Sequence, residues 1–132
     1  MKVVARRQSG FAHEVEIEGG HSVIVDEPTA AGGSDRGPSP TRLLAAALAS
    51  CTAVTMEMYA ARKGWDIGAV EVDVEVEYDG YTPSSFAVAL RLSPDLTDEQ
   101  RDRLVVIAAK CPVHQVLARA TPVIVSDKVE AI

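Results

Sequence analysis

The chain has 132 residues, 47% of them hydrophobic, and a net charge of −6, which together predict a single globular domain over residues 1–132. Its acidity argues against nucleic acid and anionic membranes as main partners, because neither would attract it. The N-terminal residues lack the apolar core of a signal peptide, so we expect a cytoplasmic protein. In that reducing compartment the two cysteines are not expected to form a structural disulfide.

The N-terminal third alternates apolar and polar residues, which predicts three short strands. The first covers about residues 1–8, the second residues 11–17, and the third residues 21–26 after a glycine-pair turn. Residues 27–37 are rich in glycine and other turn formers, and this composition predicts a flexible loop.

A long helix is predicted from Pro40 to Lys63, because Ser39 is a suitable N-cap and proline fits the first helical position. Its first three turns are apolar nearly all round, which indicates burial on every side. A chain of this length offers little to cover such a helix, so we expect a second copy as its neighbour. Polar residues interrupt the apolar run, which disfavours a membrane span.

Two strands are predicted next, at residues 70–78 and 86–92, where valines and other apolar residues alternate with polar ones. The acidic side chains that alternate along the strand at residues 70–78 are one candidate for a cation site. A solvated sheet face is the favoured interpretation, because antiparallel sheets commonly leave one face in water.

The last third predicts two helices and a strand. The capping box Thr97-Asp98-Glu99-Gln100 opens a helix that runs to about Lys110. A short helix follows over residues 113–118, and residues 122–126 are predicted to close the chain as a strand. The order β-β-β-α-β-β-α-α-β, with antiparallel neighbours and segregated helices, is typical of an α+β fold.

The two cysteines, Cys51 and Cys111, are the candidate reactive residues. Cys51 lies inside the long helix, where most buried cysteines are inert. Cys111 follows Lys110 and precedes Pro112 at a predicted helix N-terminus, and both the cation and the amide dipoles favour a thiolate there. For Cys111 the reactive and inert interpretations both stay open.

Zinc binding is a further interpretation, because Cys111 and His114 have the C-x-x-H spacing of a ligand pair. Structural zinc needs four ligands. Cys51 could be a third, but the sequence has no second motif of this kind. We therefore expect neither a metal nor another cofactor, and no serine or cysteine hydrolase pattern is evident.

Two segments of the sequence form a recognisable combination. One is Gly37–Ala53, GPSPTRLLAAALASCTA, a small-residue helix that leads to Cys51, and the other is Lys110–His114, KCPVH. Together they resemble the OsmC/Ohr family of peroxide-detoxifying proteins, in a divergent OsmC-like subgroup. The resemblance implies an intertwined homodimer in which two long central helices pack between strongly bent antiparallel sheets.

The resemblance also implies a thiol-dependent peroxidase that reduces organic hydroperoxides, and hydrogen peroxide less well. Cys51 would be the peroxidatic cysteine that becomes a sulfenic acid. Cys111 would be the resolving cysteine that forms a disulfide with it, which an external dithiol reduces. A non-enzymatic binding protein for a small apolar or thiol-containing ligand, or a redox sensor, is the alternative on the same fold.

The sequence departs from the pattern of the most active family members at one position. Those proteins carry a glutamate ten residues before the cysteine, where this chain has Thr41. The glutamate anchors an arginine that holds the thiolate, so modest activity is expected here. The candidate arginines are Arg6, Arg7, Arg36 and Arg42.

Overall fold

A computed structural model describes all 132 residues. The elements in chain order are strands β1 (Val3–Ser9), β2 (Ala12–Ile17) and β3 (His21–Val25), helix α1 (Pro40–Lys63), strands β4 (Val70–Asp79) and β5 (Thr82–Leu92), and helices α2 (Asp98–Ala108) and α3 (Pro112–Ala118). A short 3-10 turn, Thr29–Ala31, lies in the loop before α1. The α+β class and the order β-β-β-α-β-β-α-α are confirmed.

The prediction of a final strand over residues 122–126 is wrong, because the chain after α3 forms no strand. An apolar, β-branched run becomes a strand only where a neighbouring strand supplies hydrogen bonds to its backbone. This segment makes no such ladder, and Ile124 is 95% exposed. Local composition was therefore a poor guide where pairing decides the structure.

The strands form two antiparallel sheets. The first has the order β1-β2-β3, with Val3 opposite Ile17 and His13 opposite Val25. The second is the β4-β5 hairpin, whose turn contains Gly80 at a φ of 63°. Glycine suits that position because side-chain-bearing residues rarely adopt positive φ.

The chain divides into two compact units. The N-terminal unit comprises residues 1–47 and 75–86, and the thiol unit comprises residues 48–74 and 87–132. The thiol unit has a cluster of buried apolar side chains. Its members are Met56, Ala60, Ile67, Leu96, Leu104 and Ala108.

Helix α1 buries one stripe of side chains within a single chain. The stripe has a spacing of four residues, and its members are Leu48, Thr52, Met56 and Ala60. Val54 and Met58 are 49% and 59% exposed, so cover by a second copy stays a prediction. By length and composition alone the helix could cross a membrane, a property that core helices of soluble proteins share.

The start of α2 is fixed by the capping box that the sequence predicts. The Thr97 hydroxyl accepts from the Gln100 backbone N–H at 3.1 Å, and the Thr97 N–H donates to the Gln100 side chain at 3.0 Å. Helix α2 ends at Ala108, and α3 begins at Pro112. This break between helices positions Cys111 as the N-cap of α3.

A buried carboxylate organises the loop before α1. Asp26 follows β3, is 1% exposed, and accepts backbone hydrogen bonds from Glu27, Ser34 and Arg36 at 2.8, 3.2 and 3.2 Å. Burial raises the pKa of this carboxyl, but the three amides and the Arg36 charge outweigh it and hold the pKa below its usual value. The segment predicted as a flexible loop is thus hydrogen-bonded back to the end of a strand.

Two glycines allow the same loop to lie against main chain. A Cβ atom at Gly33 would collide with the Glu27 backbone, and one at Gly37 would collide with the Ile24 carbonyl. Neither glycine has a positive φ, so close approach of the backbone is what requires them.

Candidate thiol site

The two cysteines predicted as site residues lie together in the thiol unit. Cys51 is in the middle of α1 and Cys111 is the N-cap of α3. Both thiols are free, and a side-chain hydrogen bond joins them. Cys51 is partly exposed, whereas Cys111 is 0% exposed, so the two sulfurs differ in their access to a reactant.

Several donors surround the buried sulfur. The His114 backbone N–H donates to Cys111 Sγ at 3.4 Å, and the thiol of Cys51 and the hydroxyl of Thr52 also hydrogen-bond it. Burial raises the pKa of the Cys111 thiol, but these donors outweigh it, with Cys51 the strongest, and the pKa lies below its ordinary value. The lowered pKa has the direction that the sequence predicts for Cys111, but the largest cause of the lowering is the Cys51 thiol, and Lys110 is not among the causes.

The pKa of the Cys51 thiol is shifted in the opposite direction. Burial raises the pKa of the Cys51 thiol, and its hydrogen bond to Cys111 raises it further, against a smaller lowering by the Val113 backbone. Of the two coupled thiols, Cys111 is therefore the one that loses its proton more readily. In the hydrogen bond between the two cysteines, the Cys51 thiol donates and the Cys111 sulfur accepts.

Thr52 is a site residue that sequence reasoning missed. It is 1% exposed, and its hydroxyl donates to the Leu48 carbonyl at 2.8 Å. A hydroxyl has one proton, so Thr52 can give it to the carbonyl or to the Cys111 sulfur but not to both. The available signal was a hydroxyl directly after Cys51 in a helix that is mainly apolar.

His114 lines a small recess together with Thr52, which hydrogen-bonds the Cys111 sulfur. The recess has a volume of about 130 Å³, and the imidazole Nδ1 of His114 is buried with no hydrogen-bond partner. The described residues contain no group of three metal-ligating side chains. The lining residues are Thr52, Val88, Leu90, Val105, Ala108, Ala109 and His114.

The arginines considered from sequence belong to the N-terminal unit, and an arginine that assists Cys51 stays a prediction. Thr41, at the position of the family glutamate, has its hydroxyl 3.1 Å from the hydroxyl of Tyr78. Three of the four arginines have partners in their own unit: Arg6 with Glu16 at 2.5 Å, Arg7 with the Gly10 carbonyl at 3.0 Å, and Arg36 with the Gln8 side chain at 3.2 Å.

Fold and site together define an α+β protein with two hydrogen-bonded free thiols, one on a long helix and one capping a short helix. Residues 32–126 match the family model described as OsmC-like protein. That match covers more than half of the chain, so the protein belongs to the OsmC-like family. No curated protein matches the sequence.

Solved structures share the fold at low sequence identity. A protein from Psychrobacter arcticus 273-4, described as an osmotic stress induced and detoxification response protein, has 23% identity and a TM-score of 0.78, over 87% of this chain and 86% of that one. The organic hydroperoxide resistance protein OsmC from Legionella pneumophila has 21% identity and a TM-score of 0.62, over 89% and 90%. The organic hydroperoxide resistance protein OhrB of Bacillus subtilis has 26% identity and a TM-score of 0.56, over 92% of both.

Proposed function

We propose that this protein is a thiol-dependent peroxidase that reduces organic hydroperoxides through Cys51 and Cys111. The observation that carries the proposal is the hydrogen-bonded pair of free thiols, in which the pKa of the buried Cys111 thiol is lowered and that of the partly exposed Cys51 thiol is raised. Membership of the OsmC-like family supports it, as do the names of two structural neighbours that are organic hydroperoxide resistance proteins.

The first step needs a thiolate that a peroxide can reach. Cys51 is partly exposed and Cys111 is not, so Cys51 is the attacking sulfur. Its proton passes to Cys111 along the existing hydrogen bond, and Cys111 thus acts as the base. The new thiolate attacks the terminal peroxide oxygen, an S–O bond forms, and the O–O bond breaks. Cys51 becomes a sulfenic acid, and the leaving oxygen takes a proton to become an alcohol.

The second step uses the proton that Cys111 received. The Cys111 sulfur attacks the sulfenic sulfur, its proton leaves with the hydroxyl group as water, and a Cys51–Cys111 disulfide forms. Little movement is required, because the sulfurs are already in hydrogen-bonding contact. An external dithiol then reduces the disulfide and returns both thiols.

The exposed side of α1 supports a homodimer as the working form. Val54 and Met58 are exposed on a helix with few charges, and a second copy packed against it would remove this apolar surface from water. Sedimentation at micromolar concentration is expected to give twice the chain mass. A folded monomer under those conditions would contradict the dimer without removing the thiol chemistry.

A peroxide-consumption assay with a small dithiol tests the peroxidase on wild type, Cys51→Ser and Cys111→Ser. Wild type is expected to turn over an alkyl hydroperoxide, and Cys51→Ser is expected to be inactive. Cys111→Ser should consume about one equivalent at most and stop at the sulfenic acid, because no second thiol is present to resolve it. Peptide mass mapping of oxidised wild type should find the Cys51–Cys111 disulfide.

Two results would change the assignment. If Cys51→Ser still reacts while Cys111→Ser is inert in the first turnover, Cys111 is the attacking sulfur and the roles are exchanged. If wild type reduces no organic hydroperoxide, the peroxidase proposal fails. A binding protein or redox sensor on the same fold would then take its place.

A further inference from the structure

His114 has a buried polar atom that the two thiol steps do not use. Its Nδ1 has no hydrogen-bond partner, although the ring as a whole is partly exposed. A buried polar atom without a partner costs stability, and native structures seldom keep one without a reason. A ligand oxygen that arrives during function would supply the missing partner.

The recess that His114 lines is connected to the buried sulfur through two residues. It has a volume of about 130 Å³ and two polar lining residues, Thr52 and His114. Both also hydrogen-bond the Cys111 sulfur, Thr52 through its hydroxyl and His114 through its backbone N–H. The other walls are apolar and suit a short alkyl group. They are Val88, Leu90, Val105, Ala108 and Ala109.

The chemistry of the first step calls for a proton at this place. Cleavage of the O–O bond of an alkyl hydroperoxide releases an alkoxide, a strong base that leaves readily only if it is protonated. The hydroxyls of Thr52 and Thr55, which hydrogen-bond the sulfurs, do not titrate near neutral pH. Imidazole is the side chain that most often serves as a general acid in proteins.

We propose that the recess receives the leaving oxygen of the hydroperoxide and that His114 Nδ1 donates the proton that converts it to an alcohol. This role rests on the proposed function. The imidazolium gives up its Nδ1 proton as the O–O bond breaks and becomes a neutral imidazole. Water returns a proton to the partly exposed ring before the next turnover. The electrons balance as in the first step, because Cys51 is oxidised to a sulfenic acid while the hydroperoxide is reduced to an alcohol.

Two oxidants that differ in their leaving group test this role in rapid single-turnover measurements of thiol loss. The leaving group of an alkyl hydroperoxide is a strongly basic alkoxide. The leaving group of peroxyacetic acid is acetate, which needs no proton. His114→Asn keeps a hydrogen-bonding group near the Nδ1 position and cannot transfer a proton in the same way. It is expected to slow the alkyl hydroperoxide reaction by about 100-fold and the peroxyacetic acid reaction by less than about threefold.

The matched control is His21→Asn, which changes an exposed histidine on β3 and should leave both rates at the wild-type value. His114→Gln is the second variant if His114→Asn fails to fold, with the same selective loss expected. Equal losses with both oxidants, or no loss with either, would overturn the role of His114 while the peroxidase stands. A wild type that reacts with peroxyacetic acid and with no alkyl hydroperoxide would overturn the peroxidase and this role together.

Discussion

Each unit of the chain has a buried acidic group whose pKa is lowered by hydrogen-bond donors, Asp26 in one unit and Cys111 in the other, and the donors are of different kinds. In the N-terminal unit Asp26 accepts from three backbone amides. In the thiol unit Cys111 accepts from one backbone amide and the Cys51 thiol, and the Thr52 hydroxyl can donate to it in place of the Leu48 carbonyl. Burial raises both pKa values and the donors lower both, so the electrostatic balance has the same sign at the two places.

The difference lies in what the donors can do next. Backbone amides cannot give up their protons or change partner without unfolding, so the Asp26 carboxylate is a fixed structural group. The Cys51 thiol can lose its proton to the anion it supports, so the Cys111 charge can move between two sulfurs. A buried anion is thus structural or reactive according to its donors. Four substitutions test this contrast, from the largest expected effect to the smallest.

Gly37→Ala should be the most damaging change, because its Cβ would collide with the Ile24 carbonyl at the edge of the Asp26 loop. The backbone must shift, and we expect a loss of about 3 kcal/mol in the free energy of unfolding, measured with urea. Gly10→Ala is the control, since that position has open space and only a positive φ of 54°. Equal losses for the two variants would contradict a collision at Gly37.

Asp26→Asn should change how stability depends on pH. The folded-state pKa of Asp26 is below its unfolded value, so the carboxylate stabilises the fold above the unfolded pKa of about 3.9 and loses this effect as pH falls through the lower folded value. Urea unfolding of wild type should weaken over that acidic range. The variant should be less stable at pH 7 and show a flatter acid response. Parallel curves for the two proteins would argue against a structural carboxylate.

Cys51→Ala should leave the fold nearly intact and raise the pKa of the Cys111 thiol, because the strongest of its donors is lost. Thiolate absorbance or iodoacetamide alkylation against pH measures the change. Met58→Ala, at an exposed position of the same helix, is the control and should leave the titration unchanged. An unaltered Cys111 titration in Cys51→Ala would show that the two thiols are not coupled.

Thr52→Val should shift the same titration in the same direction by less. The hydroxyl lowers the pKa of the Cys111 thiol, but it ranks behind Cys51 and His114 among the donors. Valine keeps the size of threonine and removes only the hydroxyl. A shift as large as that of Cys51→Ala would reverse the order of the donors, and the thiol would no longer be the main support of the thiolate.

Most of the fold could be predicted because its elements carry local signals. The capping box of α2, the Ser39-Pro40 start of α1 and the period-two strands β4 and β5 each depend on residues a few positions apart. The strand expected at residues 122–126 depends instead on a pairing partner, which its own residues do not specify. The Asp26 network was also not predicted, because its contacts join one carboxylate to amides up to ten positions away.

The site was predictable in its two sulfurs and less so in their surroundings. The backbone amides at the start of α3, which lower the pKa of Cys111, follow from a position before Pro112 that the sequence displays, whereas the stronger contribution of Cys51 comes from packing. The contacts of Thr52 and the recess at His114 depend on how α1, α3 and β5 pack within the thiol unit. Packing of that kind has no period or motif in the sequence.

Proline after Cys111 limits what an oxidised sulfur at this position can become. A cysteine sulfenic acid can condense with a backbone nitrogen to form a cyclic sulfenamide. Pro112 has no N–H, so a sulfenic acid at Cys111 cannot close that ring onto the nitrogen of the next residue. The nitrogen after Cys51 belongs to Thr52, inside a continuous helix whose backbone would have to unwind. A sulfenic acid at either cysteine is thereby directed towards the thiol of the other cysteine, with which it forms a disulfide that a dithiol can reverse.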